Sequence, residues 1–282
     1  MKKYRNYIFD LYGTLVDLET NERKMPLWRL LSDFYRVYGC RWKVKELRDT
    51  FFAMDGEERE ILSARTGYAC PEIKLERVFV RVLFEGKSHV PCDIRIAEDT
   101  VDHWRERYAE DREAVLDRLC ESDWAVAVSN MFRVYSRRYI CLYPNVMETL
   151  ERLKQEGCGV YLLSNAQKIF TMPEIEMLGL DTCFDRMYIS SDYECMKPQK
   201  EFMQFLLQQE GLDPKESVMV GNEPASDVAM ALRSGMDSIL LNTAREPEEE
   251  IKKKITKLKR KEGNPGKNKV WIVSSGDISE IR

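Results

Sequence analysis

Several residue types and patterns are scarce in this sequence, and each scarcity removes a class of function. Only two histidines occur in 282 residues, His89 and His103. None of the eight cysteines (Cys40, Cys70, Cys92, Cys120, Cys141, Cys158, Cys183 and Cys195) forms a Cys-x-x-Cys pair. Structural zinc sites normally draw on paired ligands at both ends of the motif, so His89 and Cys92, three residues apart, read as ordinary side chains. No apolar run approaches the length of a membrane span. The N-terminus MKKYRNYIFD lacks both an apolar h-region and a small-residue cleavage site. The expectation is a cytoplasmic protein with reduced thiols and no membrane partner. Neither sign of charge dominates: the formal net charge is −4, which offers nucleic acid no general attraction.

What is present is the composition of a globular protein, with 44% hydrophobic and 33% charged residues and a mean hydropathy of −0.46. The length suits one large α/β domain and a smaller one. Short apolar runs alternate with helical patterns at the start of the chain and again from about residue 143. Tyr7–Phe9 runs into Asp10, Val160–Leu163 into Ser164–Asn165, and Met187–Ile189 into Ser190–Asp192. Val218–Val220 runs into Gly221–Glu223, Ser238–Leu241 into Asn242, and Val270–Val273 into Ser274. Continuous apolar strands of this length, separated by helices, are produced by a parallel sheet covered on both faces. Asn145 is placed to cap the helix VMETLERLKQEG, and further helices follow Pro198 and span Asp227–Gly235.

The predicted fold class is therefore α/β, a doubly wound, Rossmann-like parallel sheet, with polar residues gathered at the carboxyl ends of its strands. Residues 18–138 differ. Leu27, Leu30, Leu31, Phe34 and Tyr38 form a helical stripe, as do Val44, Leu47 and Phe51. Others are Ile73, Val78, Phe79, Val82 and Leu83; then Val101, Trp104 and Tyr108; then Leu116, Leu119, Met131, Phe132 and Tyr135. This stretch reads as a largely helical domain inserted after the first strand, leaving 1–17 and 139–282 as the α/β core. Near the end, GNPGKNK at 263–269 predicts a turn. The basic segment 251–261 follows Glu248, Glu249 and Glu250, each four residues ahead of a lysine. With Ile251, Ile255 and Leu258 on one face, it predicts a solvated amphipathic helix.

Four segments in order, YIFDLYGTLVD (7–17), LLSNA (162–166), MKP (196–198) and VMVGNEPASD (218–227), resemble the four motifs of the haloacid dehalogenase superfamily, with 18–138 in the family's cap position. A carboxylate at a strand end can attack phosphorus or carbon and form an ester that water then hydrolyses, and Asp10 is the residue so placed. Gly13 lets the chain turn sharply, and Thr14 offers a hydroxyl there or serves as a helix cap. The resemblance implies that Ser164 and Asn165 hold the transferring group and that Lys197 neutralises the nucleophile and the substrate anion. It further implies a magnesium site, built from Asp10, the backbone carbonyl of Tyr12, and the fourth motif. There Asn222 or Glu223 stands at the aspartate position, depending on spacing, with Asp227 beyond. Two positions depart from the phosphatase pattern: Tyr12 replaces the usual acid two residues after the nucleophile, and Asn222 replaces an aspartate. The leading expectation is a magnesium-dependent phosphatase of a small phosphorylated metabolite. A metal-independent enzyme of the dehalogenase type, whose nucleophile motif commonly reads Asp-x-Tyr-Gly-Thr, is the alternative. A catalytically weak binding or regulatory protein is the third.

Overall fold

The computed structural model describes residues 2–263 and 267–281. In chain order, β1 (Asn6–Phe9) is followed by β2 (Val16–Thr20), then helices α1 (Met25–Val37), α2 (Val44–Thr66) and α3 (Leu75–Phe84). Short strands β3 (Arg95–Ile96) and β4 (Asp99–Thr100) precede α4 (Val101–Glu110), α5 (Arg112–Cys120) and α6 (Asp123–Ser136). After β5 (Arg137–Leu142) the pattern alternates: α7 (Val146–Gln155), β6 (Gly159–Ser164), α8 (Lys168–Met177), β7 (Arg186–Ile189) and α9 (Lys200–Glu210). It closes with β8 (Ser217–Gly221), α10 (Ala229–Arg233), β9 (Asp237–Leu241), α11 (Glu248–Lys261) and β10 (Val270–Val273). No described helix is long and apolar enough to cross a membrane.

The contacts divide the chain into two units, one comprising Met1–Leu18, Tyr68–Glu72 and Tyr139–Arg282, the other Glu19–Gly67 and Ile73–Arg138. In the first unit, six strands form one sheet in the order β10-β9-β8-β1-β6-β7, and every pairing is parallel. All six apolar runs read as strands from the sequence are in it. The register sets Phe9 beside both Leu162 and Val220, so β8, β1 and β6 end side by side and place their following residues at one edge. Alternate side chains go to opposite faces. Tyr7, Phe9, Leu162 and Val220 join Leu150 and Leu153 of α7 on one face. Ile8, Leu163 and Met219 meet Phe202 and Leu206 of α9 and Met230 of α10 on the other. Burial on both faces is why these strands read as continuous apolar runs.

Local details differ from expectation for identifiable reasons. Asn145 stands at the start of α7, but its backbone is left-handed (φ 64°) and its side chain makes no cap bond. It donates to both carboxylate oxygens of Asp277 instead. Pro198 lies before the N-cap of α9, Gln199, rather than in its first turn. In α11, Ile251 and Ile255 are buried with Leu258 against them. Of the three expected four-residue ion pairs, Glu248–Lys252 is present at 2.7 Å, while Lys254 reaches back to Glu246. Part of the turn expected at 263–269 lies outside the described residues.

In the second unit, Trp28, Phe51, Phe79 and Phe132 from α1, α2, α3 and α6 pack ring against ring, at 5.1 to 5.9 Å between neighbouring centroids. Trp28 and Tyr35 fill the α1 face alongside Leu27 and Leu31. Tyr135, expected in the α6 stripe, is 52% exposed. The β3–β4 pair is a two-residue antiparallel ladder, too short for any periodicity to announce it.

Candidate active site

The four motif segments meet at the carboxyl edge of β8, β1 and β6. Asp10 follows β1, and its backbone N–H donates to Val220 O at 2.9 Å, which keeps the residue in line with the sheet. Gly13 then takes φ 81°, a left-handed conformation; a Cβ there would lie 2.4 Å from Asn222 Nδ2. Both constraints call for glycine. The resulting tight turn brings the Thr14 hydroxyl to 3.4 Å from Asp10 Oδ2 and 3.2 Å from Asn222 Oδ1.

The centre of the site is Lys197. Its Nζ donates to Asp10 Oδ1 at 2.6 Å and to Asp227 Oδ1 at 2.7 Å, and the residue is 3% exposed. Asn165 fixes the lysine's backbone from both sides, with Oδ1 accepting from Lys197 N at 2.7 Å and Nδ2 donating to Lys197 O at 3.0 Å. The second motif thus positions the third. Ser164, 1% exposed, has no hydrogen-bond partner among the described residues for its buried hydroxyl. Such a group is costly unless it serves something, and a substrate anion is a natural acceptor for it.

Two carboxylates and one ammonium in a buried cluster set the local electrostatics. Burial pushes the Asp10 carboxyl above its ordinary value, Lys197 pulls it down, and the neighbouring Asp227 pushes it up again. Burial works against the Lys197 ammonium, but Asp10 and Asp227 together hold it above its ordinary value. The lysine therefore stays charged, as the cation of the site.

The fourth motif folds as a π-helical turn, Pro224–Val228, a form that recurs at functional sites. Asp227 Oδ2 accepts from the N–H groups of Asn222 and Glu223 at 3.1 and 2.9 Å. Its side chain lies so close to Gly221 that a Cβ there would sit 2.2 Å from Asp227 Cγ. Asn222 turns inward to Thr14. Glu223 is exposed and caps the turn, accepting from Ala225 N at 3.1 Å. The expected magnesium set thus consists of side chains that already make hydrogen bonds. Among the described residues no three His, Cys, Asp or Glu side chains gather in a group that could hold a metal ion. Glu223 is spent on the cap, Asp227 on Lys197 and two backbone donors, and Asp10 shares the same lysine. The expected set is these carboxylates, or Asn222 in place of Glu223, with the Tyr12 backbone carbonyl, and each carboxylate already accepts a hydrogen bond.

Tyr12 is neither a free acid nor simple packing. Its hydroxyl donates to Glu174 Oε2 at 2.5 Å and lies 3.3 Å from Thr171 Oγ1, both on α8. Glu174 is 3% exposed. Sequence reasoning missed it because a glutamate in MPEIEM carries no sign that its carboxylate faces inward. Glu72, 5% exposed, was missed for the same reason.

The family model of haloacid dehalogenase-like hydrolases matches residues 4–235. A glyceraldehyde 3-phosphate phosphatase of Methanothermobacter thermautotrophicus is 33% identical over 101 residues, 36% of this chain and 45% of that protein. An (S)-2-haloacid dehalogenase of Burkholderia cepacia is 27% identical over 145 residues, 51% of this chain and 56% of that protein. The chain thus spans about half the length of the curated relatives it matches. A crystal structure of a 2-haloacid dehalogenase from Pseudomonas syringae superposes with a TM-score of 0.56 at 20% identity, covering 86% of this chain and 89% of that one; this is a likeness of fold. With the matched segment holding all four motifs and four of the six sheet strands, the chain belongs to the haloacid dehalogenase-like hydrolase family.

Proposed function

We propose that this chain hydrolyses a small anionic substrate through an ester on Asp10, with Lys197 rather than a divalent cation as the charge partner. The observation that carries the reading is Lys197 Nζ held between Asp10 and Asp227 at 2.6 and 2.7 Å. An Asp10 oxygen attacks the electrophilic atom, and the leaving group departs with the bonding electron pair. Water then hydrolyses the ester and restores the carboxylate. The orphaned Ser164 hydroxyl is available to the substrate's anionic group.

Tyr12 bears on the choice of leaving group. An alkoxide needs a proton as it leaves, and a missing general acid costs on the order of 100- to 10,000-fold. A halide needs none. With the Tyr12 hydroxyl directed to Glu174, displacement of halide from carbon in a short 2-haloacid is the reading this geometry supports best. The exposed position of Glu223, which caps the turn, supports the same reading. The second reading, a phosphatase of a small phosphorylated metabolite, is favoured by the phosphatase relative at 33% identity. The second unit is assigned as the cap that selects the substrate, from its place in the chain after the first motif.

The test compares halide release from a 2-chloro acid with phosphate release from a chromogenic phosphate ester, each with and without excess chelator. Halide release that persists in chelator is the expected result. Phosphate release abolished by chelator, together with saturable Mg2+ binding by calorimetry that Asp10→Asn removes, would overturn this reading in favour of the second. No turnover of either substrate points to the third, a binding or regulatory protein.

A further inference from the structure

Residues Tyr68–Glu72 lie in the middle of the long insertion, yet they belong to the first unit. Their backbone runs antiparallel to the stretch that leads into Lys197. Pro71 and Cys195 form a bridge. Met196 N donates to Cys70 O and Glu72 N to Glu194 O, both at 3.0 Å. Beyond Lys197, the side chain of Gln199 accepts from Ala69 N at 3.2 Å. The lysine loop is thus held on both sides by five residues that contribute no motif of their own.

The side chain of Glu72 extends this hold to the second motif. Its Oε1 accepts from Gln167 Nε2 at 3.0 Å, and its Oε2, 3.2 Å from Ser190 Oγ, shares that hydroxyl's single proton with Ala166 O at 3.1 Å. Ser190 Oγ in turn accepts from Ala166 N at 2.8 Å. Gln167 and Ala166 directly follow Ser164 and Asn165, and Asn165 grips the Lys197 backbone. A carboxylate accepts at both oxygens, so the Glu72 side chain ties the loop after Ser164 and Asn165 to Ser190, while its backbone N–H holds Glu194 in the stretch leading to Lys197.

We infer that Glu72 is a positioning residue for the chemistry at Asp10: it sets these two loops at the spacing the covalent step requires, so that a piece of the insertion completes the active site of the first unit. The inference rests on the Asp10 reading above, but the brace is a separate geometric fact. Misplacement of a reacting group by about 1 Å can cost on the order of 100-fold in rate, whereas a purely structural glutamate would alter melting temperature without changing turnover per folded molecule.

The test uses the full chain as Glu72→Ala, Glu72→Gln and Ser190→Ala, read by amide hydrogen exchange and by steady-state kinetics on whichever substrate class the wild type turns over. For Glu72→Ala, kcat is expected to fall at least about tenfold with KM changed by less than about threefold. Exchange at Ala166 and Met196 is expected to accelerate about tenfold with β8 unchanged. Glu72→Gln keeps one carbonyl acceptor and should recover most of both effects. If Glu72→Ala does not fold, Ser190→Ala, which removes the link to Ala166, carries the same expectation. Unchanged exchange, unchanged kcat, or a Gln variant as impaired as Ala would each overturn the inference. A wild type inactive on both substrate classes counts against the Asp10 function, and exchange alone then decides the brace.

Discussion

At the scale of single residues, the site is organised by one ammonium shared between two carboxylates. Asp10→Asn removes the carboxylate proposed as the nucleophile and is expected to abolish turnover of either substrate class; a mutant retaining full kcat would show that another group attacks. The ionisation of Asp10 gives a direct check on the electrostatics. Burial raises its pKa above the ordinary 3.8, and Lys197 opposes the rise. The carboxyl carbon of Asp10, followed by NMR, should therefore titrate above 3.8 in the wild type and higher still in Lys197→Met. A downward move in that variant would contradict the assigned role of the lysine. Gly221 is a second sensitive position. A methyl group there must displace the Asp227 side chain, with Cγ 2.2 Å away, so Gly221→Ala should cost about 1–3 kcal/mol by overpacking alone. Chemical denaturation measures it. Of these features, the strand-end location of Asp10 and Lys197's place in a motif were readable in sequence, because apolar runs ending in polar residues mark the edge of a parallel sheet. The inward turn of Asn222 and the outward turn of Glu223 were not. Two adjacent residues with similar oxygen donors differ only in where the π-helical turn points them.

Among elements, the second unit depends on a buried charge hub. Glu58 of α2, 4% exposed, accepts from Arg77 and Arg81 of α3 at 2.9 and 3.2 Å and from Arg112 of α5 at 2.7 Å. Replacing Glu58 by Leu removes the carboxylate all three arginines share, while Arg77 keeps Glu113 and Asp117, Arg81 keeps Glu57 and Glu85, and Arg112 keeps Glu85; it should cost about 1–3 kcal/mol. A loss within experimental error in chemical denaturation would mean that these remaining partners suffice. Glu85 sits beside the hub. Burial opposes its ionisation, but hydrogen bonds from Arg81 and Tyr108 and the nearby guanidinium charges hold its pKa below the ordinary 4.5. A carboxylate whose folded pKa is depressed contributes stability that is present above its unfolded value and lost as pH falls through the folded one. The melting temperature should therefore decline below about pH 4.5, and less steeply in Glu85→Gln, as a pH series of thermal melts will show. The helical stripes of this unit were largely readable, since Leu27, Leu31, Phe51 and Phe79 recur at helical spacing. The hub was not: Glu58, Arg77, Arg81 and Arg112 look like solvated helix faces until three helices converge on them.

Taken whole, the molecule gathers the four motifs in one unit and leaves most of a long insertion to a second, but the division does not follow the linear order of the chain. Alternating apolar runs and helices, and four motifs in sequence, are local patterns. They were enough to establish the parallel sheet and the family and to place Asp10 at a strand end, because strand burial and strand-end polarity are imposed within a few residues of each position. Tertiary structure decided whatever depends on distant parts of the chain converging: the sharing of Lys197 between Asp10 and Asp227, and the direction of Tyr12 towards Glu174. It also returned Glu72 from the insertion to the loops around the site. Each of these is a hydrogen bond or ion pair across 30 to 187 residues of chain, and partners at such separations leave no periodicity in sequence.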